Sequence, residues 1–136
     1  MLYKILLSLS LMFLAVSNTS AGEVDKLVGT YSADFYGKRS DRYRVEKHGS
    51  SFWLYEKISN ADWKRIHEKG SVQVINKKQF EKMMKKSANG PAFGLNFNNR
   101  VVIFKAQKGF TIGKQKMSTG YFVFFDGIFM ELRKEK

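Results

Sequence analysis

In the segment Tyr121–Leu132 the chain reads YFVFFDGIFMEL, and this segment indicates the fold class. Two apolar runs flank Asp126-Gly127, a dipeptide that favours a two-residue turn whose twist suits an antiparallel hairpin. The turn predicts that Val123 lies opposite Met130 on one fully apolar face. Because monomers rarely expose a large apolar patch, we expect another element to cover the rings on the opposite face. Those rings belong to Phe122, Phe124 and Phe129.

Further strands are predicted from alternation upstream of this hairpin. In Tyr31–Phe35 and in Tyr43–Val45, apolar residues recur at every second position, which is typical of half-buried strands. A two-residue turn at Gly49-Ser50 predicts that Val45 pairs with Leu54. The alternation therefore indicates a second hairpin.

A third hairpin and the composition complete the fold prediction. Asparagine tolerates positive φ, so a two-residue turn at Asn98-Asn99 predicts that Leu95 lies opposite Val102. Aromatic residues make up 15% of the chain, which favours strands. The predicted fold is mainly β (α+β), either a small antiparallel β-barrel or a two-layer β fold. It has about eight or nine short strands and one amphipathic helix near residues 77–86.

The helix is predicted from the stretch KKQFEKMMKK at residues 77–86. Asn76 is the expected N-cap, and Gln79 occupies the position that completes a capping box. Phe80, Met83 and Met84 fall on one stripe, so the helix is expected to dock on the sheet through them. The simplest interpretation of its lysines is that they face solvent.

The first 21 residues are predicted to be a cleavable signal peptide. Lys4 precedes an apolar stretch of about twelve residues, which is too short for the roughly 30 Å of a bilayer core. Small residues at Thr19 and Ala21 predict cleavage after Ala21. Residues 22–136 are then expected to form one exported β-rich domain without a transmembrane segment, in the periplasm or, alternatively, secreted. The chain contains no cysteine, which excludes disulfides.

Positive charge is concentrated in the middle of the chain. Residues 22–63 and 117–136 each carry equal numbers of acidic and basic side chains, whereas residues 64–116 carry thirteen basic and two acidic ones. Charged side chains of one sign repel each other and lower the stability of the fold, so they are usually mixed with the other sign. Their segregation in one segment therefore indicates that they bind an acidic partner. Export argues against nucleic acid, which leaves acidic proteins and anionic envelope polymers. The dominance of lysine over arginine favours a broad electrostatic match.

The sequence contains no complete catalytic constellation. His48 and His67 have no cysteine with which to form a zinc site, and no Gly-x-Ser-x-Gly turn or glycine-rich phosphate loop is present. We therefore expect no enzymatic activity, no cofactor and no metal site.

By elimination, the sequence predicts an exported non-catalytic binding protein. The expected type is an inhibitor or immunity protein that blocks an acidic site on a partner such as a cell-wall-targeting toxin. The alternatives are a module that binds anionic envelope polymers (lipopolysaccharide, wall polymer or lipid phosphate) and a small barrel that carries an apolar ligand. The basic side chains predicted to bind the partner are Lys78, Lys82, Lys85, Lys86, Arg100, Lys105, Lys108, Lys114 and Lys116. The predicted aromatic anchors are Trp53, Tyr55 and Trp63, with Phe122, Phe124 and Phe129 added only if the helix leaves them uncovered.

Overall fold

The computed structural model describes residues 22–57, 62–66 and 72–136, so the predicted signal peptide and His67 lie outside the described residues. The described chain forms a nine-stranded sheet curled into a half-barrel, a two-stranded sheet and one short helix. The predicted mainly β fold with one helix is therefore confirmed. Residues 22–57, 62–66 and 72–136 form eleven strands, nine of them in the main sheet.

Most strands pair with the next strand along the chain, and every paired strand is antiparallel. The strands are β1 (Gly29–Phe35), β2 (Lys38–His48), β3 (Ser51–Glu56), β4 (Lys64–Arg65), β5 (Val72–Ile75), β6 (Phe93–Phe97), β7 (Val101–Lys105), β8 (Phe110–Ile112), β9 (Gln115–Met117), β10 (Tyr121–Phe125) and β11 (Ile128–Lys134). The main sheet has the order β4-β3-β2-β1-β11-β10-β7-β6-β5, and β8 pairs with β9. A short 3-10 turn (Asp25–Leu27) precedes β1, and helix α1 (Lys77–Met84) lies between β5 and β6.

Two of the three predicted hairpin registers are confirmed. Val45 pairs with Leu54, and Val123 pairs with Met130. The remaining prediction was wrong, because Leu95 pairs with Ile103.

The turn between β6 and β7 is one residue longer than predicted. It contains Asn98, Asn99 and Arg100, and both asparagines have positive φ. The side chain of Asn96 explains the longer turn: it accepts a hydrogen bond from the Asn99 amide at 2.9 Å and donates one to the Asn99 side chain at 2.8 Å. Because side chains alternate between the two faces of a sheet, this one-residue difference changes which side chains of β6 and β7 share a face.

The concave side of the half-barrel holds the inner cluster of buried apolar residues. Strands from both halves of the sheet contribute to it, including Tyr31 and Tyr43 from one half and Leu95 and Ile103 from the other. Val24 and Leu27, in and beside the 3-10 turn, are also fully buried in this cluster. The N-terminal turn therefore packs inside the curl of the sheet.

An outer cluster lies on the convex side, where α1 and the β8–β9 hairpin cover β7 and β10. The predicted capping box is present, since Asn76 accepts from the Gln79 amide and its own amide donates to the Gln79 side chain. Phe80 is fully buried, with Met83 and Met84 partly buried beside it. The predicted docking stripe of the helix is thereby confirmed.

Candidate functional site

The two elements that cover the outer cluster carry most of the uncompensated positive charge. We call residues 77–92 and 106–120 the lysine layer. Eight lysines and a single acidic residue, Glu81, lie in it, and all eight lysines are exposed. The lysines are Lys77, Lys78, Lys82, Lys85, Lys86, Lys108, Lys114 and Lys116.

The positive charge of the lysine layer is not neutralised within the described residues. The carboxylate of Glu81 accepts a hydrogen bond from the backbone amide of Ala88 at 2.7 Å, which closes the end of the helix. Every ion pair found in the described part of the chain lies within residues 25–56. The layer therefore presents a field of one sign, separate from the charge-balanced half of the sheet.

Lys86 joins the two parts of this layer. Its ammonium group donates to the carbonyl oxygen of Thr111 at 2.9 Å, also contacts the hydroxyl of Thr111, and lies 4.9 Å from the centre of the Phe110 ring. Helix α1 is thus fastened to β8, and its lysines share one surface with those of the hairpin. Lys86 holds that surface together.

Two of the predicted basic residues lie outside the lysine layer. Arg100 is in the turn between β6 and β7, at the opposite end of β7 from Lys105. The Lys105 ammonium lies 4.5 Å from the centre of the Tyr121 ring, which packs against the inner cluster. Burial lowers the pKa of Lys105, and the nearby charges of Lys108 and Lys134 lower it further. Arg100 is therefore set apart from the other predicted basic residues, whereas Lys105 lies at the border of the layer.

The three predicted aromatic anchors are brought together on the outer side of β2, β3 and β4. Trp53 lies between two flat groups: the His48 ring, stacked with centroids 3.7 Å apart, and the Arg65 guanidinium, 3.6 Å from the ring centre. Both approach so closely that they must occupy opposite faces of the indole. The Trp53 ring is consequently held in one orientation.

A second stack continues this surface. The Arg44 guanidinium lies 4.9 Å from the Tyr55 ring and 4.8 Å from the Trp63 ring. Glu46 lies 2.9 Å from Arg44 and 2.9 Å from His48, so one carboxylate links both stacks. We call Arg44, Trp53, Tyr55, Trp63 and Arg65 the arginine–aromatic face. All five side chains are half-buried.

The arginine–aromatic face and the lysine layer are separate surfaces, because β1 and β11 lie between them in the sheet. The predicted aromatic anchors Trp53, Tyr55 and Trp63 therefore lie apart from the lysines of the layer. The two arginines of the face were not predicted as site residues. Their signal was present, since the confirmed β2–β3 register places Arg44 opposite Tyr55.

Of the three conditional aromatic anchors, one is fully covered and two keep part of their surface exposed. Phe122 is fully buried and lies within 6.2 Å of Phe80 between ring centres. Phe124 and Phe129 are partly buried in the outer cluster, 4.7 Å apart. Phe80 of the helix and Phe110 of the β8–β9 hairpin thus pack near Phe122, the central ring of this face.

A cleft of about 460 Å³ opens where β2 and β3 approach the turn before β7 and the turn after β10. We call it the end cleft, and its polar residues are Arg42, Tyr43, Glu56, Arg100 and Asp126. It was not predicted from the sequence. Arg42 is unpaired in the register between β1 and β2, because Tyr31 pairs with Tyr43 and Ser32 with Asp41. This bulge turns Arg42 to the same side as Tyr43.

The Tyr43 side chain brings a buried hydroxyl to the end cleft. The residue is fully buried, and Arg42 is its polar neighbour, but no hydrogen bond of ordinary geometry joins the hydroxyl to the described residues. Burial raises the pKa of Tyr43 to about 12, and the negative charges of Glu56 and Asp126 add to this shift while Arg42 opposes it. The hydroxyl is therefore a proton donor at neutral pH.

Comparisons with protein-family models, with curated proteins and with solved structures found no match. In the described residues no group of three or more histidine, cysteine, aspartate or glutamate side chains has the arrangement of a metal site. The described part of the chain also has no helix that is long and apolar enough to cross a membrane.

Proposed function

We propose that this chain is an exported, non-catalytic binding protein of the inhibitor or immunity type, which blocks an acidic site on a partner protein. The lysine layer carries the proposal, since eight exposed lysines share it with one acid whose carboxylate already binds the backbone. Like charges held on one surface repel each other. A complementary acidic surface relieves this repulsion and raises the association rate.

The arginine–aromatic face supports a role in protein binding. Tryptophan, tyrosine and arginine are the residues most enriched among interface hot spots. Trp53 is fixed between His48 and Arg65, so little conformational entropy would be lost when a partner covers it. The lysine layer would then attract the partner electrostatically, and the arginine–aromatic face would form the tight contact with it.

Affinity capture on the immobilised protein tests the proposal. The input is an envelope extract at moderate salt, and the recovered material is identified by mass spectrometry. We expect an acidic protein, and we expect it to be lost when lysines of the layer are changed to glutamate. Recovery of only lipid or glycan would contradict the proposal.

A second candidate function is binding of an anionic envelope polymer. It is favoured by the composition of the layer, which contains lysine and no arginine and so lacks the forked donors that recognise a particular carboxylate or phosphate. Salt separates the two candidates. Polymer affinity should fall log-linearly with salt in proportion to the phosphates contacted, whereas a protein interface should mainly lose association rate.

The interior of the half-barrel favours surface binding over carriage of an apolar ligand. Val24 and Leu27 are fully buried in the inner cluster, on the concave side where such a ligand would have to lie. Occupation of that space by the chain's own side chains supports a function at the surface.

A further inference from the structure

The end cleft combines the size of a small-molecule site with a mixed lining. Its volume of about 460 Å³ lies within the usual range of ligand pockets. One wall is apolar and contains Ile66, Val101 and Phe125, and the opposite wall is the bulge at Arg42 and Tyr43. The cleft lies at the end of the half-barrel, away from the lysine layer.

Two hydrogen-bond donors at this cleft are buried without an acceptor at ordinary hydrogen-bond geometry, although the two groups are neighbours. They are the hydroxyl of Tyr43 and Nε of Arg42. The rest of the Arg42 guanidinium is held by Glu56 at 3.5 Å and lies 4.8 Å from the centre of the Phe35 ring, which fixes its orientation. A buried donor without a partner is unfavourable, so the site is suited to a ligand that supplies acceptor oxygens.

The charges around the cleft are balanced, and only two of the four are paired with each other. Arg42 and Arg100 are basic, while Glu56 and Asp126 are acidic, and Arg42 is paired with Glu56. Arg100 and Asp126 are exposed on two different turns, and neither forms an ion pair among the described residues. The guanidinium of Arg100 and the carboxylate of Asp126 are therefore available to a ligand that carries both a negative and a positive group.

We propose that the end cleft binds a short zwitterionic peptide of about dipeptide size. The free carboxylate of the peptide accepts hydrogen bonds from Tyr43 and Arg42 and lies near Arg100. The ammonium group of the peptide contacts Asp126. The apolar side chains of the peptide contact the wall formed by Val101 and Phe125. This site is independent of the lysine layer, so the proposed function can fail while this proposal holds, and the reverse.

Three matched probes test the proposal in titrations of the purified ¹⁵N-labelled protein. Leucyl-leucine carries both charges, N-acetyl-leucyl-leucine only the carboxylate, and leucyl-leucinamide only the ammonium group. We expect leucyl-leucine to bind most tightly, with saturable shifts of the amides of Asn99 and Gly127. The amide probe should bind about tenfold more weakly, because the buried donors then meet no carboxylate.

Three variants assign the effect to the proposed groups. Tyr43→Phe keeps the ring in the core and should weaken binding of both carboxylate probes about tenfold. Asp126→Asn keeps a residue type that favours this turn. This variant should bind leucyl-leucine only as tightly as it binds N-acetyl-leucyl-leucine. Tyr31→Phe is the control and should leave binding unchanged, because Tyr31 does not line the cleft.

Either of two results would overturn the proposal. One is the absence of saturable shifts at the cleft up to about 10 mM of leucyl-leucine, which is far above the affinity expected of a built site. The other is equal affinity for all three probes, which would show that neither charge is recognised.

Discussion

Tyr31 and Tyr43 lie opposite each other on neighbouring strands, yet their hydroxyl groups have different environments. The Tyr31 hydroxyl donates to the carbonyl oxygen of Leu27 at 2.7 Å, whereas that of Tyr43 lacks a hydrogen bond of ordinary geometry. We expect Tyr31→Phe to lower the free energy of unfolding by about 1 kcal/mol and Tyr43→Phe to leave it nearly unchanged. Urea denaturation of both variants measures this, and equal losses would contradict the assignment of Tyr43 as an unused donor.

The raised pKa of Tyr43 predicts a loss of stability at alkaline pH. The folded pKa of about 12 exceeds the ordinary value of 10.0, so the folded protein keeps a proton that the unfolded chain releases. The associated stability is fully present below pH 10 and is lost as pH rises from 10 towards 12. Between pH 9 and 11, the free energy of unfolding should therefore fall more steeply for the wild type than for Tyr43→Phe.

This comparison also controls for the lysines. Burial lowers the pKa of Lys105 and Lys134, and a lowered lysine pKa has the opposite effect on stability across this range. Both lysines are present in both proteins, so their contribution cancels in the difference. If the free energy of unfolding falls equally steeply with pH in the wild type and in Tyr43→Phe, the raised pKa of Tyr43 is contradicted.

Single residues also mark where prediction from the sequence fails. The bulge that turns Arg42 towards the end cleft contains no glycine or proline, so no local signal announces it. The turn at Asn98-Asn99 was recognised, but its length depends on hydrogen bonds between the side chains of Asn96 and Asn99. Such contacts are decided by three-dimensional geometry, which alternation and turn composition do not report.

At the scale of elements, helix α1 depends on one ring. The centre of the Phe80 ring lies 5.6 Å from that of Phe104 and 5.3 Å from that of Phe110. A helix of eight residues is not stable alone in water. We expect Phe80→Ala to cost about 3–5 kcal/mol, measured by denaturant unfolding, because it leaves a cavity under the helix.

The exposed neighbour Lys82 provides the matched control on the same helix. Lys82→Ala should change the free energy of unfolding by less than about 0.5 kcal/mol. If Phe80→Ala has an equally small effect, the helix does not dock as described.

The two hairpins with glycine-containing turns were predictable down to the residue pairs. Gly49-Ser50 and Asp126-Gly127 each fix a two-residue turn, and the alternating apolar residues on both sides agree with only one register. The helix was predictable for a similar reason, since its cap and its apolar stripe are both local. The covering of Phe122 followed from these two predictions taken together.

At the scale of the whole molecule, the sequence showed that charge is segregated but not where it lies. The lysines of α1 and of the β8–β9 hairpin do share a layer, because both elements cover the same apolar face. Arg100 lies apart from that layer, at the far end of β7, whereas Lys105 lies at its border. These positions follow from how the strands pair across the main sheet, which no single segment of the sequence shows.

We expect the position of the lysines, and not the net charge of the protein, to determine partner binding. Two double variants with the same net charge separate these quantities. Lys78→Glu with Lys114→Glu changes the lysine layer, whereas Lys26→Glu with Lys38→Glu changes exposed lysines elsewhere. All four side chains lack an ion pair among the described residues, and Lys86 is avoided because it fastens the helix to β8.

The deciding measurement is the association rate of the captured partner with the wild type and both double variants, at one fixed ionic strength. We predict that the change in the lysine layer lowers this rate about tenfold, and that the change elsewhere lowers it much less. Equal rates for the two double variants would show that the layer has no special role.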